Sequence, residues 1–120
     1  GPDSSSYFKG GSVAYDGAVL KACGVSVDVM EAHGVVSQQT ANAMADTVRR
    51  NLGADLGVAV TGVPGPGEFE GKPLGLAYIS VTNGEITREM EMRLPPRRVT
   101  IKRRVPNQAL IELRRLVEEI

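Results

Sequence analysis

Residues 59–81 read AVTGVPGPGEFEGKPLGLAYISV, and the chemistry-bearing part of the chain starts here. A strand that ends at Thr61 is followed by Gly62, Gly65 and Gly67, which have no side chains to keep a bound molecule off their backbone N–H groups. Pro64, Pro66 and Pro73 stiffen the same loop and so lower the ordering cost of binding. Thr61 brings a hydroxyl to the C-terminal end of a strand, where α/β sheets tend to bind ligands. The loop suits a ligand held by backbone donors; the plain alternative is a rigid turn with no ligand. It has neither a Walker sequence nor the GxGxxG order.

Other reactive side chains read more quietly. Ser4, Ser5 and Ser6, following Pro-Asp, look by themselves like a solvated loop. Glu68 and Glu70 have the chemistry of general acids, but a loop tip more often carries such residues for solubility. His33 precedes Gly34 at the end of a short helix, where it complements the helix dipole. Cys23, the single cysteine, rules out an internal disulfide or a multi-cysteine metal site and fits a reducing cytoplasm; in VLKACGV it reads as a small buried hydrophobe. RRVTIKRR (97–104) reads as the solvated face of a helix or as an anion clamp led by Arg98.

The elements that must position these groups follow from pattern. The chain of 120 residues, 42% hydrophobic and 23% charged, suits one domain. Its 14 acidic and 14 basic residues leave no net field to attract nucleic acid or a membrane, and a 4% aromatic content without Trp disfavours base stacking. No apolar run reaches the ~20 residues of a membrane span. GSVAY (11–15) reads as a short buried strand. SVDVMEAHG (26–34) reads as a short helix capped by Ser26 and stopped by Gly34. Ser37 caps the clearest helix, with Ala41, Met44, Val48 and Leu52 as its apolar stripe, Val36 and Ala41 as a hydrophobic staple and Gly53 as its stop. LGVAVT (56–61) reads as a strand covered on both faces. LGLAYISVT and EITREMEMRL flank Asn83-Gly84, which predicts a hairpin on a type I′ turn, with Ile86, Met90, Met92 and Leu94 on one face. NQALIELRRLVEEI closes the chain as an amphipathic helix (Leu110, Leu113, Leu116, Val117, Ile120), with Pro106 in its first turn or kinking a longer helix from Arg98. The fold class is α/β, a layered sandwich with a mixed β-sheet covered by helices.

SSSYFKGGSVAY, EAHGVVSQQTANAMA, LGADLGVAVTGVPGPG and GKPLGLAYISV together resemble the C-terminal domain of the CinA family, the competence/damage-inducible proteins, in the family's order and nearly its spacing. The resemblance covers almost all of residues 1–120, as a single domain shortened at its N-terminus relative to the family. It implies hydrolysis of the carboxamide of nicotinamide mononucleotide to nicotinate mononucleotide and ammonia, in pyridine nucleotide salvage, by a Ser/Lys dyad with no metal and no cofactor. An amide is a poor electrophile, so such a serine must lose its proton as it attacks. A lysine can take that proton only when neutral, and backbone N–H groups must hold the oxyanion. The 5′-phosphate needs a helix N-terminus, a Gly-rich turn or an arginine.

Carried onto this chain, the resemblance places the nucleophile at Ser5, the family's double glycine at Gly10 and Gly11, and a site-lining tyrosine at Tyr15. It places the pocket loop at Thr61, Gly62 and Gly65, and a substrate-contacting arginine at Arg98. Pro64 stands where the family favours a small residue. The base lysine is expected five residues after the tyrosine, where this chain has Leu20; Lys21 follows one residue later and is the candidate base. The family's opening helix, strand and Glu-Ser-Cys-Thr-Gly-Gly turn have no counterpart here. The expected partners are a small nucleotide substrate and further copies of the chain, with no nucleic acid and no membrane. The second reading is a catalytically impaired domain of the same fold that binds a nucleotide or serves as an interaction module.

Overall fold

The computed structural model describes residues 17–63, 67–93 and 107–119. In chain order these form α1 (Gly17–Ala22), α2 (Val27–His33), α3 (Gln38–Leu52), β1 (Gly57–Gly62), β2 (Leu76–Thr82), β3 (Thr87–Arg93) and α4 (Asn107–Glu118). The expected strand at 11–15, Pro106, Ile120 and the basic run 97–104 lie outside the described residues, as do the side chains of Leu110 and Leu113.

The caps fall where the residue types place them. Ser26 Oγ accepts from Val29 N–H and Gly34 closes α2. Ser37 Oγ accepts from Thr40 N–H at 3.1 Å, and Gly53 ends α3 in the left-handed region at φ 60°. Val36 and Ala41, on either side of the Ser37 cap, are fully buried, and Met44 and Val48 continue the buried stripe. Leu52 departs from it at 47% exposure. β1 begins beneath Ala45 and Arg49, so the last turn of α3 overhangs the start of the strand. Cys23 also departs from the burial expected of it and is exposed. The turn after α1 sends Leu20 and Val25 into the core and leaves Cys23 outside between them.

The three described strands pair antiparallel in the order β1-β2-β3. Helices cover both faces. On one, Leu20, Val25, Met44, Ala45 and Ala59 form a core between the first three helices and β1. On the other, Ile79, Val81 and Leu116 pack together, with Val58, Val60, Met90, Met92 and Val117 around them. This is the layered α/β architecture expected, with β1 apolar on both faces because both are covered.

The β2–β3 hairpin exists, but its turn is not the expected one. Thr82 pairs with Thr87, which leaves a four-residue connection. Asn83 does not enter the positive-φ region that a type I′ turn needs at both centres; Gly84 does, at φ 93°. The Asn83 carboxamide instead accepts from the N–H groups of Glu85 (2.8 Å) and Ile86 (2.7 Å), and Asn83 N–H donates to Ile86 O. Ile86 thus belongs to the loop and is 40% exposed. Relative to a two-residue turn, each β3 residue moves by an even number of places along its partner, so Met90 and Met92 keep the inward face.

α3 lies very close to the sheet. A Cβ at Gly57 would stand 1.9 Å from the Ala45 carbonyl oxygen, so backbone rests on backbone at that point. Gly57→Ala is therefore expected to destabilise the protein by about 3 kcal/mol or more, the cost of forcing volume into a packed contact. An unchanged midpoint in chemical denaturation would refute this contact.

Candidate functional site

The glycine/proline loop leaves the sheet on a continued strand ladder. Val63 N–H donates to Leu76 O at 2.9 Å and Gly75 N–H to Val63 O at 3.2 Å, one step past the β1–β2 pairing. Beneath this base lies a small apolar cluster of Val36, Val63 and Leu76, bordered by Leu74 and Tyr78. Further out, Phe69 and Lys72 exchange two backbone hydrogen bonds around Glu70-Gly71, whose φ values are 54° and 73°. Positive φ at both central residues is the type I′ signature, so the turn expected at Asn83-Gly84 occurs at Glu70-Gly71 instead.

Glu70 does more than solubilise the tip. Its carboxylate accepts from Val35 N–H and Val36 N–H, both at 2.9 Å, and it lies 3.7 Å from the Lys72 ammonium, which also donates to His33 O. Gly34 leaves room for it: a Cβ there would be 2.8 Å from Glu70 Oε1. The chain between α2 and α3 is thereby held throughout. Gly34 O accepts from the Ser37 and Thr40 hydroxyls (2.9 and 2.6 Å), and Val35 O accepts from Thr61 Oγ1 (3.0 Å). Sequence reasoning missed this role. The available signal was the Glu-Gly pair between Phe69 and Lys72, a short-turn pattern, but the partner amides lie 35 and 34 residues away.

Of the residues singled out from sequence, Ser5, Gly10, Gly11, Tyr15, Gly65 and Arg98 lie outside the described residues. Thr61 and Gly62 stand together at the end of β1, both buried. Thr61 is fully buried and its hydroxyl hydrogen is committed to Val35 O. Gly62 serves the sheet, since a Cβ there would be 3.0 Å from both Ala77 Cβ and Leu76 O. Lys21 is exposed on α1, while its neighbour Leu20 takes the inward direction, as the ~100° advance per helical residue requires. Among the described residues no three His, Cys, Asp or Glu side chains gather as a metal would need, and no described helix is long and apolar enough to cross a membrane.

Tyr78, opposite Thr61 across the β1–β2 ladder, borders the apolar cluster under the loop. Burial raises its phenol above the ordinary 10.0, and a hydrogen bond to Glu91, its cross-strand partner, raises it further, while Arg93 opposes.

The described residues thus form a layered α/β body with a tethered loop at the end of a buried strand. Comparison with known proteins narrows the class. The family model described as the CinA C-terminal domain matches residues 1–117, and the chain belongs to that family. A competence-damage inducible protein of Desulforamulus reducens is 46% identical over 110 residues, covering 91% of this chain and 27% of that protein. A CinA-like protein of Acidobacterium capsulatum is 38% identical over 116 residues, 95% of this chain and 28% of the relative. The chain thus spans about a quarter of the length of these curated relatives. Among solved structures, a CinA superfamily protein from Escherichia coli superimposes with a TM-score of 0.69 at 27% identity, over 84% of this chain and 59% of that one. A competence/damage inducible protein from Agrobacterium tumefaciens gives a TM-score of 0.62 at 31% identity, over 81% and 61%.

Two outcomes test this geometry. Thr61→Val, which leaves Val35 O without its donor, is expected to cost about 1.5 kcal/mol in denaturation, and Thr61→Ser much less. Equal stability of the two variants would remove the hydroxyl's structural role. The raised Tyr78 phenol means that above pH 10 the folded chain keeps a proton the unfolded chain releases. Its stabilising contribution is complete below 10 and is lost as pH rises through the folded-state value. A Tyr78→Phe variant should lack that alkaline loss, as read by unfolding midpoints across the range.

Proposed function

We propose that this domain is an amidohydrolase that converts nicotinamide mononucleotide to nicotinate mononucleotide and ammonia. The observation that carries the reading is family membership over residues 1–117, a span that includes both Ser5 and Arg98. The loop after β1, fastened at its base and at its tip, supports it as a fixed edge for a substrate site.

In this mechanism the Ser5 hydroxyl attacks the carboxamide carbon and gives up its proton to Lys21. The carbonyl oxygen takes the developing negative charge, and backbone N–H groups hold it. As the C–N bond breaks, the amine leaves as ammonia with the transferred proton. Water then hydrolyses the acyl-serine to the carboxylate and restores Ser5. Tyr15 and Arg98 contact the nucleotide, Arg98 by pairing with phosphate, and Gly10, Gly11, Thr61, Gly62 and Gly65 shape the walls. The mechanism asks Lys21, exposed on α1, to turn its four-carbon stem toward Ser5. We place the reaction in the cytoplasm, without metal or cofactor, in a self-associating protein.

The second reading, a nucleotide-binding or interaction module with an impaired dyad, is favoured by two observations: Leu20 takes the inward direction beside Lys21, and Lys21 itself is exposed. Ammonia release from nicotinamide mononucleotide separates the two. The amidase reading expects release by the purified chain and a fall of at least about 1,000-fold in Ser5→Ala, the scale on which a lost nucleophile is felt. No release by either protein, with the nucleotide still bound, selects the module.

A further inference from the structure

The connection from β1 to β2 is fastened at two described places. Its base is closed by the Val63–Leu76 and Gly75–Val63 hydrogen bonds. Its tip is closed by the Phe69–Lys72 pair and tied down by the Glu70 carboxylate on the N–H groups of Val35 and Val36. The Val35–Val36 peptide group is gripped from two sides: its N–H, on Val36, donates to Glu70, and its carbonyl, on Val35, accepts the Thr61 hydroxyl. Val36 is fully buried, so its N–H has no easy replacement for the carboxylate in water. Glu70 is also the sole non-glycine residue with positive φ among the described residues, at 54°. A tip turn that glycine would build without strain carries a glutamate, and the two charge-assisted hydrogen bonds compensate for it.

We propose that Glu70 is a positioning residue for the substrate mouth: by holding the Val35 and Val36 amides it locks the tip of the loop, the start of α3 and the Thr61 hydroxyl into one wall. This rests on the amidase reading and deepens it. Glu70 touches no substrate; it acts through two peptide groups. The wall it organises is needed for binding the nucleotide more than for the bond-breaking step, so its loss falls on KM.

The test compares the full chain with Glu70→Ala and Glu70→Gln by two readouts. The first is amide hydrogen exchange at Val35 and Val36, with Ile79 in the central strand as the internal control. The second is KM and kcat for nicotinamide mononucleotide. In Glu70→Ala, exchange at Val35 and Val36 is expected to accelerate about tenfold or more while Ile79 is unchanged, and KM to rise about tenfold with kcat within about twofold. Glu70→Gln, which keeps one carbonyl acceptor, falls between; it decides the matter alone if the alanine variant does not fold. Faster exchange with unchanged KM makes Glu70 a structural tie and overturns the positioning role. Unchanged exchange overturns the tie as well. A wild-type chain that neither binds nicotinamide mononucleotide nor releases ammonia refutes the amidase reading and the positioning role together, whereas an active wild type with an unaltered Glu70→Ala KM refutes only the latter.

Discussion

The carbonyl oxygen of Ala45 lies where a side chain on residue 57 would have to begin. Helix and strand can approach this closely because small residues meet at the contact: Ala45 on α3, Gly57 and Ala59 on β1. The opposite face of the sheet is built differently, with Ile79, Val81, Met90 and Met92 filling the space beneath Leu116. One side is held by proximity and the other by bulk. With α3 pressed onto β1, the start of the helix stands beside the end of the strand, and the hydroxyls of Ser37, Thr40 and Thr61 reach the turn that precedes the helix.

That turn, residues 34–36, shows how a short irregular segment satisfies its polar backbone away from any ladder. The amides of Val35 and Val36 go to a carboxylate from a distant loop, the amide of Gly34 to Met30 O, and the carbonyls of Gly34 and Val35 to three hydroxyls. Buried peptide groups left unpaired are costly, so each of these bonds matters more than its modest net contribution suggests. The same bonds bring three parts of the chain together: the end of β1, the tip of the loop and the start of α3. Thr61, read from sequence as a group for a ligand, has its hydrogen committed to this junction.

The local features of the fold were legible in the residues. Ser26, Gly34, Ser37 and Gly53 bound their helices as their chemistry dictates, because a cap depends on neighbours within four positions. Strand faces were legible where alternation decided them, as at Met90 and Met92. Turn type was not. Asn83 used its side chain as a backbone acceptor rather than adopting positive φ, while Glu70-Gly71 took the mirror-image turn. Cys23 and Leu52 were misjudged because their apolar character said nothing about whether an element lies above them. The tie from Glu70 to Val35 spans 35 residues, and no local pattern encodes a contact of that range. The family pattern was legible across nearly the whole chain, since it is carried by four separated segments in a fixed order.

The far end of α3 has its own attachment. Arg49 lays its guanidinium against Gly84 in the β2–β3 connection, within 2.8 Å of where a Cβ would sit, and Asp46 one turn back steadies it. The helix therefore works as a ruler. Its 15 residues, about 22 Å of rise, span from the loop after β1 to the loop after β2. Lengthening or shortening it by one residue would rotate one attachment by about a quarter turn relative to the other and break the gauge between them. The two attachments together hold the helix to a single measure.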